Sequence, residues 1–162
     1  MENSDVAALL ISFSALAVSL GTFVTNKKQD KRELFLRVHE RLIDPEIQRG
    51  RMLLYERVKT VDDAARLHQQ EPENYQLINR SLGMFDIFAM YVLRGYIDRE
   101  LALQEWGHAF ARVFQRALPF IEYRLGSQTW TTWTHLRVFG DEAVRWHEAR
   151  LAEDSSSRTI RE

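Results

Sequence analysis

The sequence predicts an all-α protein, with a single N-terminal transmembrane helix followed by a compact cytosolic bundle of four or five helices. Three observations lead to this prediction. Residues 6–24 carry no charge. Only three prolines and seven glycines occur among 162 residues, which leaves long uninterrupted windows. Within these windows apolar residues recur every three or four positions, the period of an amphipathic helix, and no alternating strand pattern is seen.

The N-terminal apolar segment decides the predicted compartment. A helix over residues 6–25 would be about 30 Å long, about the thickness of a hydrocarbon core. Its positive charges follow the apolar run, whereas a cleaved export signal carries them in front. A buried or peripheral helix and a targeting signal remain alternatives. The cations that follow are interpreted as topology determinants that keep their side in the cytoplasm: Lys27, Lys28, Lys31 and Arg32.

This orientation predicts a single-pass protein of the cell membrane. Residues 1–5 would lie outside, and the C-terminal domain would lie in the cytoplasm. One face of the predicted span repeats small or hydrogen-bonding residues at spacings of four and three. Such residues let membrane helices pack closely, so this face predicts self-association, although they are also common in membrane helices by chance. The face consists of Ala8, Ser12, Ala15, Ser19, Thr22 and Asn26.

The chain after the span is predicted to continue as a basic juxtamembrane helix over residues 26–43, since neither glycine nor proline interrupts it. The bundle domain, residues 44–152, then begins with Asp44-Pro45-Glu46. These residue types are favoured at the cap, the first position and the first turn of a helix. A short helix is expected at residues 61–68.

Pro72 begins the next helix, and its apolar residues keep the helical spacing as far as Gly95, the expected stop. Asp98 is expected to cap the following helix. Pro119 should bend or split that helix because proline lacks a backbone donor. Gly126 should end it.

The C-terminal part begins with a Trp-rich stretch, which is expected mainly to pack in the core. An amphipathic helix is predicted at residues 141–152, and residues 153–162 are expected to form a flexible tail.

Composition and motifs exclude several functions. A net charge of −1 gives no strong attraction to nucleic acid, and the absence of cysteine removes disulfides, thiolate metal sites and cysteine nucleophiles. The sequence contains no phosphate-binding glycine loop, no His-Glu-x-x-His motif and no Gly-x-Ser-x-Gly turn. We therefore assign no catalytic residue and expect no cofactor.

Two weak candidates for chemistry remain. Glu105 and His108 have the Glu-x-x-His spacing of carboxylate-bridged metal bundles, but the second motif that such sites need is missing. Asp86 falls in phase with apolar residues, where an ionised carboxylate needs a partner. Arg51 or Arg124 could form a buried ion pair with it that fixes helix register. A ligand-binding or catalytic role for Asp86 is the alternative.

Three segments of the chain resemble an uncharacterised bacterial family of small helical domains with a single N-terminal membrane anchor. They are "DPEIQRGRMLLYERV", "INRSLGMFDIFAMYVLRGYIDRELALQEWG" and "LPFIEYR", which lie within residues 30–125. The resemblance implies a membrane-anchored helical bundle and implies no activity. The Trp-rich stretch near the C-terminus departs from it.

The sequence therefore favours a membrane-anchored cytosolic module for protein interaction or assembly. The expected partners are the bilayer, a second copy bound through the anchor, and an unidentified protein. One alternative is a membrane-linked regulator or sensor that acts through anchor self-association. Another is a membrane-tethered enzyme with an acidic or metal site that no motif reveals.

Overall fold

A computed structural model describes residues 29–127 and 132–159, together with the isolated positions Phe13 and Ser19, and it describes side chains as far as residue 153. Over these residues the chain forms six helices and no strand, which confirms the predicted all-α class. The helices are α1 (29–42), α2 (Pro45–Arg57), α3 (Val61–Gln70), α4 (Pro72–Leu93), α5 (Arg99–Ser127) and α6 (Thr134–Thr159).

The helix ends follow from local chemistry. At the start of α2, Asp44 Oδ1 accepts a hydrogen bond from the Glu46 backbone N–H at 2.9 Å. Asp98 Oδ1 accepts one from the Leu101 N–H at 2.9 Å in the first turn of α5. Gly95 has a φ of 73°, a left-handed conformation that suits glycine and ends α4. The caps predicted at Asp44 and Asp98 and the helix end predicted at Gly95 are therefore confirmed.

Two helices run further than the sequence predicts. Pro119 lies inside α5, which continues as one helix to Ser127. Proline removes a single backbone bond there, and the burial of Ala117, Phe120 and Ile121 around it holds the helix together. Likewise, α6 continues to Thr159, through much of the segment expected to be a tail. No glycine or proline stands between residues 141 and 159 to stop it.

The core is built around α4, which packs against α2, α3, α5 and α6. Fully buried aromatic rings dominate its centre. The ring of Phe110 on α5 lies 4.9 Å from the ring of Phe85 on α4 and 4.9 Å from that of Phe139 on α6. Edge-to-face contacts of this kind add to the free energy gained from burial alone.

Helix α1 joins this core through buried apolar side chains, Phe35, Val38 and Leu42, and through a polar contact. The ring of Phe35 lies 6.3 Å from that of Phe88 on α4. The indole Nε1 of Trp106 on α5 donates a hydrogen bond to His39 Nδ1 at 3.1 Å. The described part of the predicted juxtamembrane segment is thus packed against the bundle.

Helices α5 and α6 contact each other through two reciprocal pairs of a glycine and an aromatic ring. A Cβ atom on Gly107 of α5 would lie 2.7 Å from the indole of Trp146 on α6. A Cβ atom on Gly140 of α6 would lie 2.7 Å from a ring carbon of Phe114 on α5. Each helix therefore offers one glycine surface and one aromatic ring to the other.

The predicted single-pass topology needs correction. In the described part of the chain, no helix is both long enough and apolar enough to cross a bilayer. The three longest helices, α4, α5 and α6, all carry charged side chains, and α4 and α5 bury their apolar faces in the core. The localisation predicted from the sequence, a membrane protein with an outer N-terminus and a cytoplasmic domain, is therefore wrong by this criterion. The segment on which it rested, residues 6–25, lies outside the described residues except for Phe13 and Ser19.

The start of α3 is fixed by a capping box. Thr60 Oγ1 accepts from the Asp63 N–H at 3.2 Å, and Asp63 Oδ2 accepts from the backbone N–H groups of Lys59 and Thr60 at 3.0 Å each. The Lys59 backbone bond is the largest of the effects that hold the pKa of Asp63 below its ordinary value, followed by the Thr60 hydroxyl.

This lowered pKa predicts an acid-sensitive contribution to stability. The unfolded chain binds a proton at Asp63 more readily than the folded chain, so the free energy of unfolding should fall as the pH drops below the ordinary aspartate value of about 4. We expect Asp63→Asn to flatten this fall. Urea unfolding at a series of acidic pH values measures it. Asp62→Asn removes a neighbouring carboxylate outside the capping box, and an equal flattening there would contradict the assignment.

Candidate functional site

Glu105 and His108 are not brought together by the structure. Glu105 lines a groove between α1 and α5, and His108 lines two other depressions, one between α5 and α6 and one between α2 and α5. Within the described ranges, no group of three or more histidine or acidic side chains could hold a metal ion. The Glu-x-x-His pair predicted as a weak metal candidate therefore gains no further ligand from the described residues.

His108 instead contacts His147 on α6. His108 Nδ1 lies 3.2 Å from His147 Nε2, and the two ring centroids are 4.6 Å apart. We call these residues the histidine pair. They lie in an open depression of about 620 Å³ between α5 and α6. The other lining residues are Gln104, Trp146, Arg150 and Leu151.

A second depression, of about 510 Å³, lies between α2 and α5. We call it the arginine groove. Its apolar part includes the half-exposed side chain of Met52. The described residues that line it are Arg51, Met52, Tyr55, Glu56, His108, Ala109 and Arg112.

Positive charge dominates the arginine groove. The guanidinium carbon of Arg112 lies 4.7 Å from the centre of the Tyr55 ring. Burial raises the pKa of the Tyr55 hydroxyl, while the charges of Arg51, Arg112 and the nearby Arg116 act in the opposite direction. None of these three arginines forms an ion pair with a carboxylate in the described part of the chain. Among the described residues that line the groove, Glu56 is the one acidic residue.

The structure gives Asp86 a partner that the sequence did not predict. Its Oδ1 accepts a hydrogen bond from the Leu136 backbone N–H at 2.8 Å, and its Oδ2 lies 3.4 Å from His135 Nδ1. Both partners belong to the first turn of α6, whose free N–H groups need acceptors and attract negative charge. Asp86 of α4 therefore caps α6 from outside that helix.

The two predicted arginine partners of Asp86 lie elsewhere. Arg51 donates to Gln48 within α2. Arg124 donates to Asn79, and its guanidinium carbon lies 4.7 Å from the ring centre of Trp133. The contacts described for Asp86 are instead with the first turn of α6, where the Leu136 backbone N–H is a donor that its carboxylate requires.

Comparison with known proteins assigns the chain to a family. The profile of the family described as "Domain of unknown function (DUF4760)" matches residues 7–141. The chain belongs to this family. The DUF4760 match spans α1 to α5 and the first part of α6, so it includes Asp86 and the arginine groove, whereas His147 lies beyond it. No curated protein and no solved structure matches the chain.

The resemblance noted in the sequence is confirmed at the level of an uncharacterised family, but the membrane anchor that it implied is not supported. The predicted association face lies outside the described residues except for Ser19, as do Lys27 and Lys28. Lys31 and Arg32 lie on α1, where they line the groove that α1 forms with α5.

Sequence reasoning missed both surfaces, although part of the signal was present. Arg51 and Tyr55 are four residues apart, as are Arg112 and Arg116, so each pair lies on one helix face. Nothing in the sequence indicates that these two faces meet. His147 likewise has no local motif that connects it with His108.

Proposed function

We propose that the domain is a helical interaction module that binds an acidic segment of a partner protein in the arginine groove. The observation that carries the proposal is the group of three guanidinium groups around Tyr55 without a carboxylate partner among the described residues. Arginine forms paired hydrogen bonds with carboxylates, and charge complementarity favours an acidic partner. Exposed Met52 and half-buried Tyr55 supply apolar contact beside the charge.

The grouping of side chains supports binding over catalysis. Asp86 is engaged as a helix cap, and Glu105 and His108 face different grooves. An acid and a base that act on one substrate need to converge on it. The arginine groove is open and lies between two helices, a shape that suits an extended or helical peptide.

The proposal can be tested with a fluorescein-labelled amphipathic peptide rich in glutamate and leucine, and with a matched peptide in which glutamine replaces glutamate. We expect the acidic peptide to bind, and binding to weaken by more than about tenfold when Arg51, Arg112 and Arg116 are all replaced by alanine. Fluorescence anisotropy at two salt concentrations measures the affinity and its electrostatic share.

The control removes three exposed arginines from outside the groove: Arg49, Arg94 and Arg137. It keeps the same net charge as the groove variant. An equal loss of affinity in this control would overturn the proposal, since general charge would then explain binding. Tighter binding of a labelled single-stranded RNA than of the acidic peptide would also overturn it.

A further inference from the structure

We propose that the histidine pair binds a divalent transition-metal ion of the zinc, nickel or copper class, and that the ion links α5 to α6. The inference is independent of the proposed function, because it concerns the depression on the α6 side of His108. It rests on the position of two imidazole nitrogens from different helices, His108 Nδ1 and His147 Nε2.

The distance between the nitrogens fits a shared ion. Two imidazole nitrogens bound to one zinc ion at about 2.0–2.1 Å with a tetrahedral angle lie about 3.3–3.4 Å apart. The observed distance is 3.2 Å. Small rotations of the two rings turn both lone pairs towards one point, where the ion replaces the proton that the nitrogens share.

The surroundings define the kind of site. His108 is exposed and His147 is half-buried, so water can complete the coordination. Imidazole nitrogens favour zinc, nickel and copper over magnesium and calcium, which prefer oxygen ligands. Arg150 lines the same depression, and its charge opposes a cation. Its guanidinium carbon is held 4.9 Å from the ring centre of Trp146, which provides that charge with a partner.

The position of the pair in α6 suggests what the ion does. Ala143 is the last buried residue of α6 among the described side chains, and residues 144–153 are half-buried or exposed. His147, the α6 member of the histidine pair, lies within this less buried part. A metal ion bound across the pair therefore holds the C-terminal half of α6 against α5.

Titration calorimetry of the full chain with zinc chloride and nickel chloride tests the proposal. We expect one ion per chain and no binding of magnesium or calcium. His108→Ala and His147→Ala should each weaken binding by more than about tenfold. Loss of a partner that only supports a metal ligand already costs about 10–100-fold in affinity, so loss of a ligand itself should cost at least as much. Each variant is checked without metal by circular dichroism, so that loss of binding is separated from loss of fold.

Two further variants keep the test decisive. His68→Gln removes another exposed histidine, one that bonds to Tyr123 and lies on α3 away from the pair. It should leave the affinity unchanged. Gln104 precedes His108 by one helical turn in the same depression, so Gln104→His should add a third ligand and tighten binding.

Hydrogen exchange supplies a readout that is independent of affinity. Zinc should slow exchange of the backbone amides of residues 145–153 in the wild-type chain and leave the rate unchanged in His147→Ala. Equal zinc affinity in His147→Ala and the wild type would overturn the proposal. An equal loss of affinity in His68→Gln would overturn it too.

Discussion

Replacing Gly50 with alanine is expected to lower the free energy of unfolding by about 2–3 kcal/mol, the upper part of the range of about 1–3 kcal/mol for overpacking. Gly50 lies on α2 where it crosses α4. A Cβ atom there would meet the backbone carbonyl group of Leu77, with its carbon at 2.8 Å, and would lie 2.9 Å from Ser81 Cβ. A backbone cannot rotate away as a side chain does, so the two helices must separate. Urea unfolding followed by circular dichroism measures the loss.

Gly83 provides the matched control on α4. Among the described residues, no atom outside the local backbone of α4 lies within 4 Å of where a Cβ on Gly83 would be. Because alanine is a better helix former than glycine, Gly83→Ala should raise the free energy of unfolding by about 0.5–1 kcal/mol. If Gly50→Ala stabilises the protein as Gly83→Ala does, then α2 and α4 are not in close contact at Gly50.

Replacing Asp86 with alanine is expected to lower the free energy of unfolding by about 1–2 kcal/mol, the usual effect of losing a helix cap. The change removes the acceptor for the N–H of Leu136, a fully buried residue, and leaves that donor without its partner. It also removes the negative charge beside the positive end of α6. Chemical unfolding measures the effect, and hydrogen exchange at Leu136 reports on the first turn of α6.

Asp86→Asn separates capping from charge. The asparagine oxygen can still accept the Leu136 bond, so this variant should keep most of the stability that alanine loses. His135→Ala removes only the longer contact and should have the smaller effect. If the midpoint of urea unfolding is the same for Asp86→Ala as for the wild type, Asp86 does not act as a cap.

The features of the fold that depend on neighbouring residues could be predicted. Asp44 and Asp98 cap the helices that follow them, and Gly95 ends α4, because each acts on backbone within a few positions. The extent of α5 and α6 could not be predicted in the same way. Pro119 is tolerated because tertiary burial around it outweighs one missing backbone bond.

The candidate site was harder to predict because its contacts join residues that are distant in sequence. Asp86 was recognisable as a carboxylate in need of a partner. That partner is a backbone N–H of Leu136, and a backbone donor has no signature in a sequence. Tyr55 and Arg112 are 57 positions apart, and only the packing of α2 beside α5 places the guanidinium over the ring.

The reciprocal contacts between α5 and α6 have a consequence for how sequences of this domain can change. Gly107 and Trp146 form one complementary pair, and Phe114 and Gly140 form the other with the roles of the helices exchanged. Enlarging either glycine alone creates a clash, and shrinking either ring alone leaves a cavity. Substitutions at these positions are therefore expected to occur in pairs, so that a larger residue at 107 accompanies a smaller one at 146. In an alignment of sequences that retain α6, these two pairs of positions should covary.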